Sequence, residues 1–303
     1  MSYWELRKKD FYRFCVFTQE RFDPISHLMM MAFFLSAHYG LILITSTVQI
    51  SPLNIILLFI GVAVFFFKLR LYDEIKDYEL DLVINPQRPL ARGYVTQAEV
   101  KRGIECALIL EWILFAQAGL PGLLGIAIAS GYSLLMYREF FIGNLIRPHL
   151  TTYATSHTVV TFFLSLAIFQ GLSGLYFWQL PSEIYLFALV SWLLFNIFEL
   201  GRKTYQKAEE KDQVESYSKV WTRPGAVLLV LLHGAISIQL LRGFSFLKGT
   251  WVDHYLLGTG SALALVGFLY LVIPKVWSGK LYRGFSSFFI ILIYLGLILH
   301  LIL

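Results

Sequence analysis

Asp73, Asp77 and Asp81 recur every four residues in DEIKDYELDLVINPQRPLARG, the stretch from Asp73 to Gly93. At about 100° per residue, four residues overshoot one helical turn by roughly 40°, so the three aspartates share one face of any helix that carries them. Glu74 stands beside the first of them. Like carboxylates this close repel, and a cation among them relieves the repulsion. A hard divalent ion suits the task, because Mg²⁺ takes one or two carboxylates and fills its other positions with water and phosphate oxygens. The following strip, NPQRPLARG, is stiff and turn-rich, and it presents Arg88 and Arg92 beside the acids. Arginine's planar fork donates two parallel hydrogen bonds to a phosphate. Carboxylates for a metal beside arginines for a diphosphate form the arrangement that binds a metal–diphosphate complex. The competing arrangement is a solvated helix end whose acids pair with Lys76, Arg70 and Arg88.

A second acidic segment runs from Asn196 to Gly225, NIFELGRKTYQKAEEKDQVESYSKVWTRPG. Asn196 and Glu199 offer oxygens at a helix end, and Arg202 and Lys203 would hold diphosphate oxygens. Glu209, Glu210 and Asp212 follow in a longer connection. No D-x-x-x-D spacing occurs here, so a second ion would rest on Glu199 with one of the later acids, Asp212 being the candidate. The alternative for Glu209 to Glu215 is an amphipathic loop of surface ion pairs. Arg138, in MYREFFIGN, either contacts the diphosphate or pairs structurally with Glu139.

These residues need elements to hold them, and the composition says which. The 303 residues are 57% hydrophobic and only 15% charged, with a mean hydropathy of +0.64. A soluble domain carries about a quarter charged residues. Apolar runs near the ~20 residues that cross a bilayer recur along the chain, and the short alternating segments of a β-barrel do not. The fold class is therefore all-α, a polytopic membrane protein. Nine spans are expected, at 25–48, 53–71, 99–118, 121–138, 153–173, 180–199, 224–242, 253–274 and 284–303. All Lys and Arg but Arg242 and Lys248 fall on one side of that topology. The bias places the N-terminus in the cytoplasm and the C-terminus on the opposite side. Both acidic segments are then cytoplasmic.

The net charge of +5 reads as a topology signal and not as a nucleic-acid footprint. Cys15 and Cys106 do not suggest a disulfide framework. The N-terminus, MSYWELRKKDFYRF, does not read as a cleaved signal peptide. Within the spans, Glu105 and Glu111 lie about 120° apart on a helix, so both cannot line one cavity. His157 and His233 are expected to bond to helix neighbours. Most of the many aromatic rings are expected to be packing or interfacial belt residues.

The Asp73–Gly93 segment resembles the first motif of the UbiA-type intramembrane prenyltransferases, N-D-x-x-D-x-x-x-D followed by P-x-R-P-L-x-x-G. Asp73 stands where the family has Asn, Glu74 where it has the first Asp, and Asp77 and Asp81 where it has the other two. Pro86, Arg88, Pro89, Leu90 and Gly93 match the strip. The resemblance implies one domain over 1–303, with nine helices around a central cavity open to the cytoplasmic side. A cytoplasmic segment at 1–24 precedes it, and the active-site connections are 72–98 and 200–223. It implies Mg²⁺-dependent transfer of a prenyl group from an isoprenoid diphosphate to an aromatic or lipid-precursor acceptor within the membrane. Asp73, Asp77 and Asp81 would be catalytic. Asp73, Glu74, Asp77 and Asp81, with Glu199 and Asp212, would hold metal, and Arg88, Arg138, Arg202 and Lys203 would bind the diphosphate. A terpene cyclase, ionising the diphosphate without an external acceptor, is the nearest alternative. A transporter or lipid-binding protein is the third.

Overall fold

The computed structural model describes the backbone of residues 3–212 and 214–302, with side chains for residues 11–212 and 214–301. An N-terminal helix, α1 (Tyr3–Phe22), precedes α2 (Pro24–Thr45), α3 (Pro52–Lys76) and the short α4 (Tyr78–Ile84). Then come α5 (Gln97–Phe115), α6 (Gly119–Tyr137), α7 (Gly143–Ile146), α8 (Leu150–Thr158) and α9 (Val160–Ser173). The chain ends with α10 (Ser182–Arg202), α11 (Tyr217–Val220), α12 (Thr222–Arg242), α13 (Trp251–Val272) and α14 (Val276–Ile302). No strand occurs among the described residues.

The long helices form a ring. Helix α2 packs on α3, and the path continues through α5, α6, α9, α10, α12, α13 and α14, which returns to α2. Helix α9 also reaches across to α2 and α3, and α10 to α14. Local signals set the starts. Pro24 and Pro52 open their helices, where a missing N–H costs nothing. The Ser51 hydroxyl accepts from the Asn54 amide at 3.2 Å. Thr96 and Glu99 cap α5 reciprocally, each side chain taking the other's backbone N–H, at 3.2 and 2.7 Å.

Eight segments are long and apolar enough to cross a membrane, and one of them, Gln97–Tyr137, has 41 residues. A continuous helix would put Glu111 and Ser130 about 28 Å apart. Instead the Ser130 hydroxyl donates to the Glu111 carboxylate, so α5 and α6 fold back on each other. The turn is at Gly119, whose φ of 70° and ψ of −154° favour glycine. The expected spans 99–118 and 121–138 are the two arms of this hairpin. Gly125 then lets α6 close on α9, since a Cβ there would stand 2.9 Å from the Ala167 Cα.

One expectation needs correction. The last helix begins at Val276, earlier than the apolar run at 284–303, because Ser278, Tyr282 and Ser286 form a buried stripe at helical spacing. Lys280 and Arg283 belong to that helix and not to a loop. The N-terminal segment is itself a helix, with Phe17 and Phe22 buried edge-on against Phe67 of α3. Arg7, Lys8 and Lys9, which contributed to the expected orientation, have side chains outside the described residues.

Deep in the bundle, Lys68 of α3 donates to both oxygens of Glu111 on α5, at 2.6 and 2.8 Å, and both side chains are fully buried. With the Ser130 hydroxyl as third member, this pair links α3, α5 and α6. Glu105, on another face of α5, is exposed, as the 120° offset requires. Removing one partner leaves a buried charge alone, whereas removing both leaves apolar packing. Lys68→Met and Glu111→Leu singly should each cost about 3–5 kcal/mol. The double variant should regain most of that loss in detergent melting experiments.

Candidate functional site at the charged end of the bundle

The α3 hydrogen-bond ladder runs on through the acidic segment. The Asp77 amide donates to the Asp73 carbonyl and the Asp81 amide to the Asp77 carbonyl, both at 2.8 Å. The accumulated drift nevertheless separates the three carboxylates. Asp73 is 51% exposed, with Arg70 at 3.6 Å. Asp77 is exposed, and no hydrogen bond or ion pair to its carboxylate occurs among the described residues. Asp81 is buried, its two oxygens taken by one Arg88 nitrogen at 2.6 Å each and by the Asn85 amide at 3.0 Å. Asp81 and Arg88 therefore engage each other, in the manner of the competing arrangement. Together with Arg21, the Arg88 strip also borders a cleft of ≈ 430 Å³. Arg92 turns outward to Glu20 at 2.8 Å, which holds its guanidinium above the ordinary arginine value.

Glu74 does not join the open aspartates. One residue on from Asp73, it is rotated about 100° and buried between Arg21 at 2.6 Å and Arg70 at 3.3 Å. It ties α1 to α3.

Lys76, on the same turn, reaches the α6–α8 connection. Its ammonium donates to the Tyr153 hydroxyl at 2.6 Å, meets His157 Nε2 at 3.2 Å and stands 3.9 Å from Glu139. Glu139, Phe140 and Phe141 adopt left-handed backbone conformations in succession, with φ of 51°, 55° and 58°. Each such non-glycine residue costs on the order of 1–2 kcal/mol. Three in a row mark a segment whose shape the surroundings impose. What holds it is Glu139, which accepts from Arg147 Nε at 2.9 and 2.8 Å and from the Tyr153 hydroxyl. That contact also raises the Arg147 guanidinium above its ordinary value. Arg138 is exposed and lies 6.0 Å from the Tyr137 ring, so the expected Arg138–Glu139 pair is replaced by Arg147–Glu139.

The second segment arrives at the end of α10. Glu199 is paired with Arg202 at 2.5 Å and with Lys203 at 2.7 Å. The two segments follow helices α3 and α10, which meet in the interior where Phe66 stacks on Phe195. Beyond Lys203 the connection is bound to α13 and α14. Gln206 donates to the Tyr270 carbonyl at 2.8 Å and to Ser278 at 3.0 Å, and Arg283 grips both oxygens of Glu209 at 2.6 and 2.9 Å. Asp212 is exposed on this connection. Among the described residues, no three His, Cys, Asp or Glu side chains gather as a metal site. Glu74, Asp81 and Glu199 are each engaged by the chain's own cations, while the Asp73 and Asp77 carboxylates are exposed.

Two turns deeper, about 10 Å by helix rise, Phe66 of α3 and Phe195 of α10 stack across the interior at 5.8 Å, each partly exposed. Phe34 of α2 lies edge-on to both, at 6.2 and 5.8 Å. Of the histidines, His233 bonds the Leu229 carbonyl as expected, while His157 bonds the Tyr153 carbonyl and joins the Lys76 cluster as well.

No protein-family profile matches the chain, and no curated protein sequence does. Two solved structures superimpose over nearly its whole length. The structure of a UbiA homologue from Aeropyrum pernix K1 gives a TM-score of 0.62 at 18% identity, covering 91% of this chain and 98% of that one. This chain has a UbiA-type fold. A structure from work on digeranylgeranylglyceryl phosphate synthase in membranes agrees, with a TM-score of 0.66 at 17% identity over 95% of this chain and 98% of that one.

Lys76, Arg147 and Tyr153 were not legible as a group. Lys76 ends α3 while Arg147 and Tyr153 lie more than 70 residues on, and Tyr153 and Glu139 join them in space. A pH dependence follows from the lock on the second connection. The Arg283 hydrogen bond, helped by the Gln206 amide, holds the Glu209 carboxyl below the ordinary glutamate value of 4.5. Such a group stabilises the fold above its unfolded pKa and loses that contribution as pH falls through the folded one. Hydrogen exchange across 203–212 should rise as pH drops below 4.5, and Arg283→Met should loosen the segment already at neutral pH.

Proposed function

We propose that this protein transfers a prenyl group from an isoprenoid diphosphate to an acceptor at the charged end of the bundle. One observation carries the reading. In a UbiA-type fold, the two exposed carboxylates at the end of α3, Asp73 and Asp77, crown a helix whose Phe66 stacks on Phe195 of α10, the helix that ends in Arg202 and Lys203. The interior below them is apolar and aromatic.

Asp73 and Asp77 would hold a single Mg²⁺, which when bound would supply positive charge against the departing diphosphate oxygens. Arg202 and Lys203 orient the diphosphate and stabilise the charge it gains as the C–O bond breaks. Arg138 is a further contact from the end of α6. Phe66, Phe195 and Phe34 line the path of the isoprenoid tail and keep water from it. The distribution of Lys and Arg supports an N-terminus on the cytoplasmic side. The name of one structural neighbour, digeranylgeranylglyceryl phosphate synthase, makes glyceryl phosphate lipids the first acceptors to offer, with aromatic acids next.

The test is product analysis after purified protein is incubated with Mg²⁺ and geranylgeranyl or farnesyl diphosphate, with and without acceptor. Prenylated acceptor is the expected product. Hydrocarbon from the donor alone would mean a cyclase instead, and an inert donor under all conditions would exclude the reading. Asp77→Asn should lower turnover on the order of 10²-fold with melting unchanged, since that carboxylate has no structural partner. Asp81→Ala should act on the fold, because it strips Arg88 of a charged hydrogen bond worth about 1.5–3 kcal/mol.

A further inference from the structure

Between the two open aspartates stands a cation with no assigned role. Lys76 is one residue from Asp77 and three from Asp73, yet its ammonium is not left to swing between them. The Tyr153 hydroxyl at 2.6 Å and His157 Nε2 at 3.2 Å fix it from α8. His157 Nδ1 lies 2.6 Å from the Tyr153 carbonyl, so that nitrogen carries the ring proton and Nε2 accepts from Lys76. With two of its N–H groups so used, the ammonium keeps a third. Its side chain is 12% exposed, so it is held at the rim of the site and not in free solvent.

The surroundings of this lysine are richer in cations than an aspartate ladder suggests. Arg147, 63% exposed, spends its Nε on Glu139. No bond to its two terminal nitrogens occurs among the described residues. Arg202 and Lys203 share one carboxylate, Glu199. Asp81 and Glu74 are already matched by Arg88, Arg21 and Arg70. Around Asp73 and Asp77 stand Lys76 and Arg147, with Arg202 and Lys203 at the end of α10, and Glu139 and Glu199 offset those four; Arg70, 3.6 Å from Asp73, is shared with Glu74. A bare divalent cation entering here meets balanced charge and a fixed ammonium at close range. A diphosphate meets four cations, three of them exposed by a third or more.

We propose that this end of the bundle captures diphosphate before any divalent ion is bound, with Lys76 as its central contact, so that the ion enters with or after the diphosphate. The proposal rests on the prenyl-transfer reading of the same site and adds an order of binding to it. The physical reason is additive. Asp73 and Asp77 supply two oxygens and little net negative charge, and the bound diphosphate supplies the remaining oxygens and the missing charge together.

Titration calorimetry on the purified full chain in detergent tests the order directly. Inorganic diphosphate is titrated in the presence of EDTA, Mg²⁺ is titrated alone, and Mg²⁺ is then added to the diphosphate-loaded protein. Binding of diphosphate in EDTA, no heat from Mg²⁺ alone and Mg²⁺ binding after diphosphate are expected. Lys76→Met should weaken diphosphate by roughly tenfold or more, and Lys76→Arg should keep most of the affinity. Tyr153→Phe keeps the packing but frees the ammonium, and should give an intermediate loss; it serves as the readout if Lys76→Met melts early. Tight binding of Mg²⁺ alone, diphosphate uptake only in its presence, or equal affinity for sulfate and diphosphate would each overturn the proposal. If the metal enters first while prenyl transfer proceeds, the order is wrong and the transferase reading stands. If diphosphate binds in EDTA but no prenyl donor is consumed, the capture site stands and the transferase reading falls.

Discussion

Hydrocarbon makes an unpaired charge expensive, and that constraint sorts the ionisable side chains of this bundle. Lys68 and Glu111 remain deep in it because they meet each other with both oxygens engaged and Ser130 as a third partner. Others gather where α3 and α10 end. There the chain can leave two carboxylates exposed, Asp73 with only Arg70 at 3.6 Å and Asp77 with no partner among the described residues, which the interior does not permit. The chemistry available to the protein follows from that location.

The charged end is a neutral mosaic and not an acidic mouth. Glu74 holds α1 through Arg21, Asp81 fixes the proline strip through Arg88, and Glu209 clamps the second connection to α14 through Arg283. These acids shape the walls. Part of the acid set in Asp73–Gly93 is thus occupied by the chain's own arginines. The left-handed turn at Glu139–Phe141 has the same logic. Local conformational cost is accepted where Glu139 can bridge Arg147, Tyr153 and Lys76.

Below the charges, aromatic rings replace ions. Phe66 and Phe195 stack across the interior two turns from Asp73 and Arg202, on the two helices that carry those residues. A substrate with a charged head and a long apolar tail fits that vertical order, head among cations and tail among rings.

The sequence by itself determined the all-helical membrane class, the approximate spans, the two charged connections and the ladder Asp73, Asp77 and Asp81 as a group of acids on one helix. Each of these follows from apolar run length or from spacing along one helix, and both are local. It did not determine where α14 starts, since Lys280 and Arg283 break an apolar run without breaking a buried stripe of Ser278, Tyr282 and Ser286. Nor did it separate Asp81 from Asp73, because the drift of a helix past its own turn matters only once a neighbour such as Arg88 is in place to claim the rotated carboxylate. Tertiary structure alone decided which acids stayed open, which cation sat between them and which of many rings faced the interior. Those outcomes depend on pairings such as Lys76 with Tyr153 and Arg21 with Glu74, and charges pair by distance in space, which spacing along the chain does not encode.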